Sequence, residues 1–560
     1  LAIDTKVDHR TTFGALGVSV KVKFGVGKVK NYERRYVEFV GRRLDNVKYV
    51  VHNNSHINVM RALIERVYKV EETVGGVKML VDPPQPRRAF FFASMQQFKN
   101  RVCQEIAPVS RMSLEKFVET SPAPKVKIYR HAYVDFILKG LEPSSSIVTS
   151  FIKAEKVRVK DSKPDPVPRI IQPRGVKFNL IFGCYMRPLE KAMYKAIDKV
   201  FGRPTVVCGQ NAEQQGKMLR DAWDEILDPI ALSVDISRFD QHKSDVALSW
   251  GHSIYKYVFR NDTQLKRLKW CLSRMIDNVG QIFTSDETGR RVKVTYKKRG
   301  NTMSGDMDTS LGNKMTMCGL AYSYFIDYLG FKSRVDFNKV NNGDDAVLIL
   351  SRDAKKRYDE MTAGQYRTDL LVVDPGGQAN GPARRVMVAG PPKDDIKTWF
   401  RKMGFTLKID GIVDKFEKIE FCQTQPCFID GRWIMVRRLD ALSKDCYCLK
   451  NIDLAERWLR QVKAGGKACY GSVPIFGAFY DSMPGPDVEF KRDELYGSGM
   501  YFLANKMSST GVITPANRVS FYNTFGVTPR EQEVIEETYR NMVYGTPEPQ
   551  QVGLTLPLPV

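Results

Sequence analysis

Three short blocks of this 560-residue chain carry side chains suited to handling metal-bound phosphates. DISRFD holds Asp235 and Asp240, five residues apart. SGDMDTSLGN holds Ser304, Gly305, Thr309 and Asn313, and NNGDD holds Gly343, Asp344 and Asp345. Transfer of a phosphoryl group to a hydroxyl needs little covalent help. It needs divalent ions that lower the hydroxyl pKa and neutralise the pentavalent phosphate and its leaving group. Mg²⁺ prefers hard oxygen ligands, usually one or two carboxylates with phosphates and water. Carboxylates from separate strands must therefore converge on one cleft.

The flanking residues say which elements position them. IALSVDI, from Ile230, is a short apolar run ending near Asp235 and reads as a buried strand. Asp240 then lies beyond that strand, where it can meet a nucleotide sugar. VNNGDD followed by AVLILS reads as a hairpin whose Asn-Gly turn presents Asp344 with Asp345 beside it. Ser-Gly permits a flexible loop, and Thr309 and Asn313, four apart on a following helix, share one face. There they can hydrogen-bond a ribose 2′-hydroxyl together with Asp240. Each block alone has a plain alternative. Asn-Gly-Asp is ordinary turn chemistry, and a lone GDD arises by chance in roughly one such chain in ten. SGDMDTSLGN alone reads as a loop before a capped helix. The ordered set of acid, ribose reader and acid pair within about 110 residues is far harder to reach by chance.

Composition narrows the partner. Lys and Arg number 87 against 63 Asp and Glu, a formal net charge of +24; such a field draws in polyanions, nucleic acid the commonest, with a solubility surplus or an anionic membrane partner as the alternative. Hydrophobic residues at 43% and charged residues at 27% exclude wholesale disorder. A triphosphate carries about four negative charges that arginine forks and lysine ammonium groups can hold. Lys153, Lys156, Arg169 and Arg174 are the candidates, each with a solvated surface charge as its alternative. The ten cysteines show no framework or CxxC spacing and suit reduced thiols in a cytosolic compartment. His52 and His56, four apart, could share a helix face but lack a third ligand. No apolar run reaches the roughly 20 residues of a membrane span. No signal peptide opens the chain. The first residue, Leu1, fits a start inside a longer reading frame or a trimmed product.

Along the chain, RALIERVYKVEE from Arg61 reads as an amphipathic helix, VDPPQPRR from Val81 as a break, and LEKAMYKAIDKVF from Leu189 as a helix. Residues 361–395 turn Gly- and Pro-rich and read as an exposed insertion. The last residues, 546–560, read as a flexible tail.

The ordered blocks DISRFD, SGDMDTSLGN and NNGDD resemble motifs A, B and C of positive-strand RNA virus polymerases. FIKAEKVRVKDSKPDPVPRIIQPR, MGFTLKID, EFCQTQP and ITPANRVSFYNTFGVTP narrow the resemblance to replicases of the Tombusviridae and their relatives, over roughly residues 110–530. The resemblance implies an α/β (α+β) right-hand polymerase fold with an antiparallel palm sheet flanked by helices. On that reading residues 1–110 are the N-terminal region and the start of the fingers, and 111–230 the basic fingers. Residues 231–435 are the palm with finger insertions and the 361–395 insertion, and 436–545 a mostly helical thumb. It implies that Asp235 and Asp344 hold Mg²⁺ (Mn²⁺ substituting) with Asp345 in support, and that Asp240, Thr309 and Asn313 select ribonucleotides. Ser304 and Gly305 would open the loop that positions template and incoming base. The basic block matches motif F, the lining of the nucleotide channel. Phe421, Cys422 and Gln423 match motif E, which grips the growing strand, and Lys408, with Lys402 as its rival, would protonate pyrophosphate. The implied partners are template and nascent RNA, NTPs and a viral replication co-protein. The implied location is the host cytoplasm, at membrane-associated replication complexes reached through a partner or an N-terminal region. A reverse transcriptase would ordinarily show a bulky aromatic near the first acid and a Tyr-x-Asp-Asp turn. A non-catalytic RNA-binding replication protein, or a capsid or movement protein, would not require the three acidic blocks.

Overall fold

The computed structural model describes residues 2–10, 12–28, 34, 37–38, 47–365, 367–372, 384–389, 391–450, 452–496 and 498–541. Its centre is a four-stranded antiparallel sheet. Pro229–Ile236 lies between Asp345–Ser351 and Leu407–Val413, and Phe337–Asn342 forms the edge beyond Asp345–Ser351. PIALSVDI and DAVLILS are nearly continuous apolar runs because both faces of this sheet are covered. Alternate side chains serve two cores. Ile230, Leu232 and Val234 pack with the helix Val176–Phe201, whereas Ala231, Val347 and Ile349 pack with Met218, Leu219 and Trp223. Burying one such aliphatic side chain stabilises the fold by about 1.5–3 kcal/mol. Phe337–Asn342 and Asp345–Ser351 are joined by two residues only, and Gly343 takes the positive φ of +93° that so tight a turn demands.

The expected strand, hairpin and helix appear at Pro229–Ile236, Phe337–Ser351 and Thr309–Ala321. Val176–Phe201 begins well before Leu189 and ends on Gly202, whose φ of +74° caps it. RALIERVYKVEE is not one helix. The helix His56–Leu63, capped by Ser55, runs into a wider turn at Ile64–Tyr68, and Val70–Val74 then pairs as a strand with Val77–Val81. KVEETV alternates with the period of a strand, which ends the helical pattern. His52 closes the strand Lys48–His52 while His56 opens the helix, so the two do not share a helix face.

A second sheet runs in the order Val20–Lys28, Arg290–Arg299, Asp277–Ser285, Val148–Ile152, Ile170–Ile171. Its inner side chains Ile282, Val292, Val294 and Tyr296 pack on the His56–Leu63 helix. The C-terminal helices Ile452–Tyr470, Phe476–Ser482, Pro515–Phe525 and Pro529–Arg540 surround a separate core, shared with the hairpin Thr424–Ile429 and Arg432–Arg437. Within the expected 361–395 insertion, Arg367–Val372 and Arg384–Ala389 pair as antiparallel strands. Its Gly-rich centre and the tail at 546–560 lie outside the described residues. Among the described residues no helix is long and apolar enough to cross a membrane.

Candidate active site

The central sheet brings the acids together. Asp235, next to last in Pro229–Ile236, stands directly opposite Asp345 on one neighbouring strand and opposite Lys408 on the other. Ile236 N donates to Asp344 O at 3.3 Å, which fixes the turn against the strand end. Burial and then the charge of Asp344 push the Asp235 carboxyl up to about 6, with Asp410 adding to the rise and Lys408 opposing it. Burial, Asp344 and Asp235 push Asp345 up to about 7, and burial raises Asp344 as well. Desolvated carboxylates crowded on one strand end resist a second and third negative charge, and a cation relieves them. Among the described residues no three His, Cys, Asp or Glu side chains stand close enough to enclose an ion by themselves. A pair of carboxylates completed by phosphate oxygens and water is the usual Mg²⁺ arrangement, and this donor set fits it.

Beside the acids lies a polar pair. Asp240 sits in the short helix Phe239–His242, and Asn313 Nδ2 donates to its Oδ1 at 2.8 Å. Among the described residues Asn313 Oδ1, which is buried, meets no hydrogen-bond donor, an acceptor held open. Burial pushes Asp240 up to about 6 against the pull of Asn313 and of Lys243. Thr309 does not join the pair: its hydroxyl donates back to Asp306 O at 3.0 Å and so belongs to the preceding loop. That loop is pinned by Gln172 N donating to Ser304 O at 2.6 Å. Gly305 has φ +126°, and a Cβ there would lie 3.1 Å from Pro173 N, so no other residue fits without displacement.

The basic block divides. Arg174 is a correction to the sequence reading. Its side chain is 0% exposed, and all five N–H groups are spent inside the protein. Nε donates to Asp306 Oδ1 at 2.6 Å, Nη2 to Asp306 Oδ2 and Asn278 Oδ1, and Nη1 to Ser146 O and Arg274 O. Arg174 therefore holds the Ser-Gly loop and has no donor left for a phosphate. Lys156 is a second correction. Its ammonium donates to Lys444 O at 2.6 Å and Tyr447 O at 2.7 Å and lies 4.9 Å from the centre of the Trp458 ring. It ties the basic block to the C-terminal region instead of facing the acids. Lys153 and Arg169 are half-exposed and share Glu155, at 2.8 and 3.1 Å. The Arg169 charge acts on both Asp344 and Asp240, which puts it within reach of the acid cluster.

Of the two lysines on the following segment, Lys402 is held by Asp394 at 2.6 Å on the helix Ile396–Lys402. Lys408 is exposed and in register with Asp235. The Phe421 ring is buried with Val340 and Val347 and cannot touch a strand in the cleft, a third correction. Cys422 and Gln423 form the tip of that turn, both at positive φ, and Asn342 Nδ2 reaches Cys422 Sγ at 3.3 Å.

Two residues of the site escaped the sequence reading. Asp410 is the extra residue of a bulge, where the register shifts between Ser233 and Val234, and its charge reaches Asp235 and Asp345. No local pattern marks a bulge, although MGFTLKID contains the residue. Lys243 is buried beneath the Asn313 helix, so that a Cβ on Gly312 would lie 2.9 Å from its Nζ. Its position three residues after Asp240, on the same short turn, was the available signal.

The family described as viral RNA dependent RNA polymerase matches residues 25–368 and 388–545. The break at 369–387 falls inside the Gly/Pro-rich insertion. The chain is similar to an RNA-directed RNA polymerase of Tobacco necrosis virus (strain A), 34% identical over 501 residues, covering 87% of this chain and 61% of the relative. It is similar to that of Cymbidium ringspot virus, 32% identical over 494 residues, covering 88% and 54%. The enzyme of Tomato bushy stunt virus (strain Cherry) is 32% identical over 512 residues, covering 90% and 56%. The chain thus spans 54–61% of the length of these relatives.

Proposed function

The chain belongs to the viral RNA-dependent RNA polymerase family, and from that premise we propose that it carries out template-directed 5′→3′ RNA synthesis from NTPs. The observation that carries this reading is the pairing of Asp235 with the Asp344–Asp345 turn across neighbouring strands. Asp235 and Asp344 would hold Mg²⁺, with Mn²⁺ able to replace it, and Asp345 would keep the cluster acidic. When bound, the divalent ions supply the charge that activates the 3′-hydroxyl and neutralises the triphosphate. Asp240 and Asn313 bind the ribose 2′-hydroxyl: Asn313 Nδ2 orients the carboxylate, and its open Oδ1 accepts a hydrogen bond from the hydroxyl. Arg169 and Lys153 exchange Glu155 for the triphosphate oxygens. Lys408, opposite Asp235, gives a proton to the leaving pyrophosphate. Cys422 and Gln423 form the turn against which the growing strand rests.

On this reading the central sheet is the palm, within 231–435, the basic residues 111–230 are the fingers, and 436–545 is the thumb. Template and nascent RNA are the partners, and a replication co-protein or a segment of the longer relatives would supply attachment to a membrane in the host cytoplasm. The test is incubation of purified chain with template, NTPs and Mg²⁺ beside Asp344→Asn. Wild type makes full-length product and the variant loses at least roughly a hundredfold, with template affinity unchanged. Equal product from the two proteins overturns the assignment.

A further inference from the structure

The outward face of the five-stranded sheet is a surface that the proposed chemistry does not use. Along 148–152, 277–283 and 291–297 of its three central strands the side chains alternate between core and solvent. The solvent side collects two kinds of residue. Lys23 stands directly opposite Lys293, and Lys293 directly opposite Phe283, in one row across three strands. In the same way Lys21 lies opposite Thr295, two residues before Lys297. Phe283 is 56% exposed and Phe151 41% exposed. They stand just past the last parallel pair, Ile282 with Ser150, on neighbouring strands that the Asn54 side chain bridges, donating to Phe283 O at 3.3 Å and accepting from Ile152 N at 2.9 Å.

Both features are costly without a ligand. Like charges directly opposite on neighbouring strands repel. Among the described residues none of Lys21, Lys23, Lys293 and Lys297 has an ion-pair partner, and the Lys293 ammonium lies over the Phe283 ring, 5.3 Å from its centre. Two large aromatics on the solvent side of a sheet leave apolar area wet that the core could have taken. Planar bases on a phosphate backbone answer both at once, because they stack on aromatic rings while lysines neutralise the phosphates.

We propose that this face is a second binding surface for single-stranded RNA, distinct from the acid cleft on the central sheet. The polyanion's identity rests on the RNA-copying reading above; the surface itself does not. An RNA strand crossing the sheet stacks bases on Phe151 and Phe283 and sets phosphates on Lys23 and Lys293. It would hold template outside the cleft and raise its local concentration there.

The test is fluorescence anisotropy of a labelled oligouridylate with wild type, Phe151→Ala/Phe283→Ala, Lys23→Ala/Lys293→Ala and Asp344→Asn, each checked for an unchanged melting temperature. Each stacked base is worth about fivefold or more in affinity, so the phenylalanine pair should bind more weakly by about thirtyfold or more. The lysine pair should lower affinity and make its salt dependence shallower by about two counterions. Should the phenylalanine pair melt early, the lysine pair, on the solvent face, decides. Ultraviolet cross-linking of the oligouridylate should mark Phe151 or Phe283 peptides. Asp344→Asn should bind as wild type does, so a failure of the catalytic reading leaves this result untouched. Affinities within twofold of wild type for both pairs, or cross-links confined to the acid cleft, overturn the proposal. So does loss of binding to phosphatidylserine vesicles with RNA affinity intact, which would make the face a membrane contact.

Discussion

At Asn313 one amide has two jobs, and they can be separated. Its Nδ2 is spent on Asp240, while Oδ1 is buried and open. On the proposed reading a ribose hydroxyl fills that acceptor and a deoxyribose leaves it unpaired, at a cost of about 1–3 kcal/mol. Asn313→Ala should therefore reduce discrimination between rNTP and dNTP by roughly tenfold, read as the ratio of single-turnover incorporation rates. An unchanged ratio removes Asn313 from ribose reading. The acids give a prediction of opposite character. Asp345 has its pKa raised to about 7 in the folded protein, against roughly 3.9 unfolded. A raised carboxyl contributes stability below its unfolded pKa and loses it as pH rises through the folded one. Metal-free Asp345→Asn should thus be more stable than wild type at pH 8, by on the order of 2 kcal/mol. The gain should shrink below pH 7 and vanish near pH 4, as thermal melts across that range will report. A pH-independent gain would mean that packing, not charge, is responsible. The meeting of Asp235 with the Asp344–Asp345 turn was legible from spacing, because carboxylates at strand ends leave a short, ordered pattern. Arg174 and Phe421 were not, because a sequence block says which side chains are near a site but not which of them turn inward.

Elements decide what such residues become. The Ser-Gly loop and the basic block meet at Arg174, whose guanidinium closes five hydrogen bonds out of water. Removing it strands the Asp306 carboxylate in the interior, and breaking a buried pair in this way costs about 3–5 kcal/mol. Arg169 stands on the exposed side of the same block, where among the described residues Glu155 alone pairs with its guanidinium. The two arginines should therefore separate cleanly. Arg174→Ala should lower the melting temperature by several degrees, whereas Arg169→Ala should leave it within roughly one degree and raise the KM for NTP by about tenfold. Melts and steady-state kinetics on the same preparations check both, and a pure KM effect at Arg174 would restore it to the nucleotide channel. The strands and the hairpin of the central sheet were readable because apolar runs and an Asn-Gly turn determine them locally. The bulge that carries Asp410 was not, since it arises from register between Pro229–Ile236 and Leu407–Val413, 178 residues apart at their starts.

The whole molecule is closed by contacts that no single element reveals. Lys156 reaches from the basic block to Lys444 O and Tyr447 O, and Arg158 beside it pairs with Asp440. Tyr49 OH adds a bond to Asp440 O at 2.9 Å, and Asn211 Nδ2 reaches Asn505 O at 2.9 Å. The basic region is thereby fastened to the C-terminal region at Lys156, Arg158 and Asn211, across separations in sequence of 282 residues or more. Such a ring should keep a long RNA enclosed once it has entered, and its opening should set how fast the RNA leaves. Lys156→Met keeps a side chain of similar length and removes the ammonium that both carbonyls accept from and that lies over Trp458. Hydrogen exchange in the segment 440–458 should then accelerate, while the Pro229–Ile236 and Asp345–Ser351 strands keep their protection, because local opening costs less than global unfolding. RNA dissociation should quicken by roughly three- to thirtyfold if the two carbonyl contacts contribute about 1–2 kcal/mol, with the rate of single-nucleotide addition unchanged. Slower nucleotide addition at an unchanged dissociation rate would instead place the Lys156 ammonium at the triphosphate, where the sequence alone had put it.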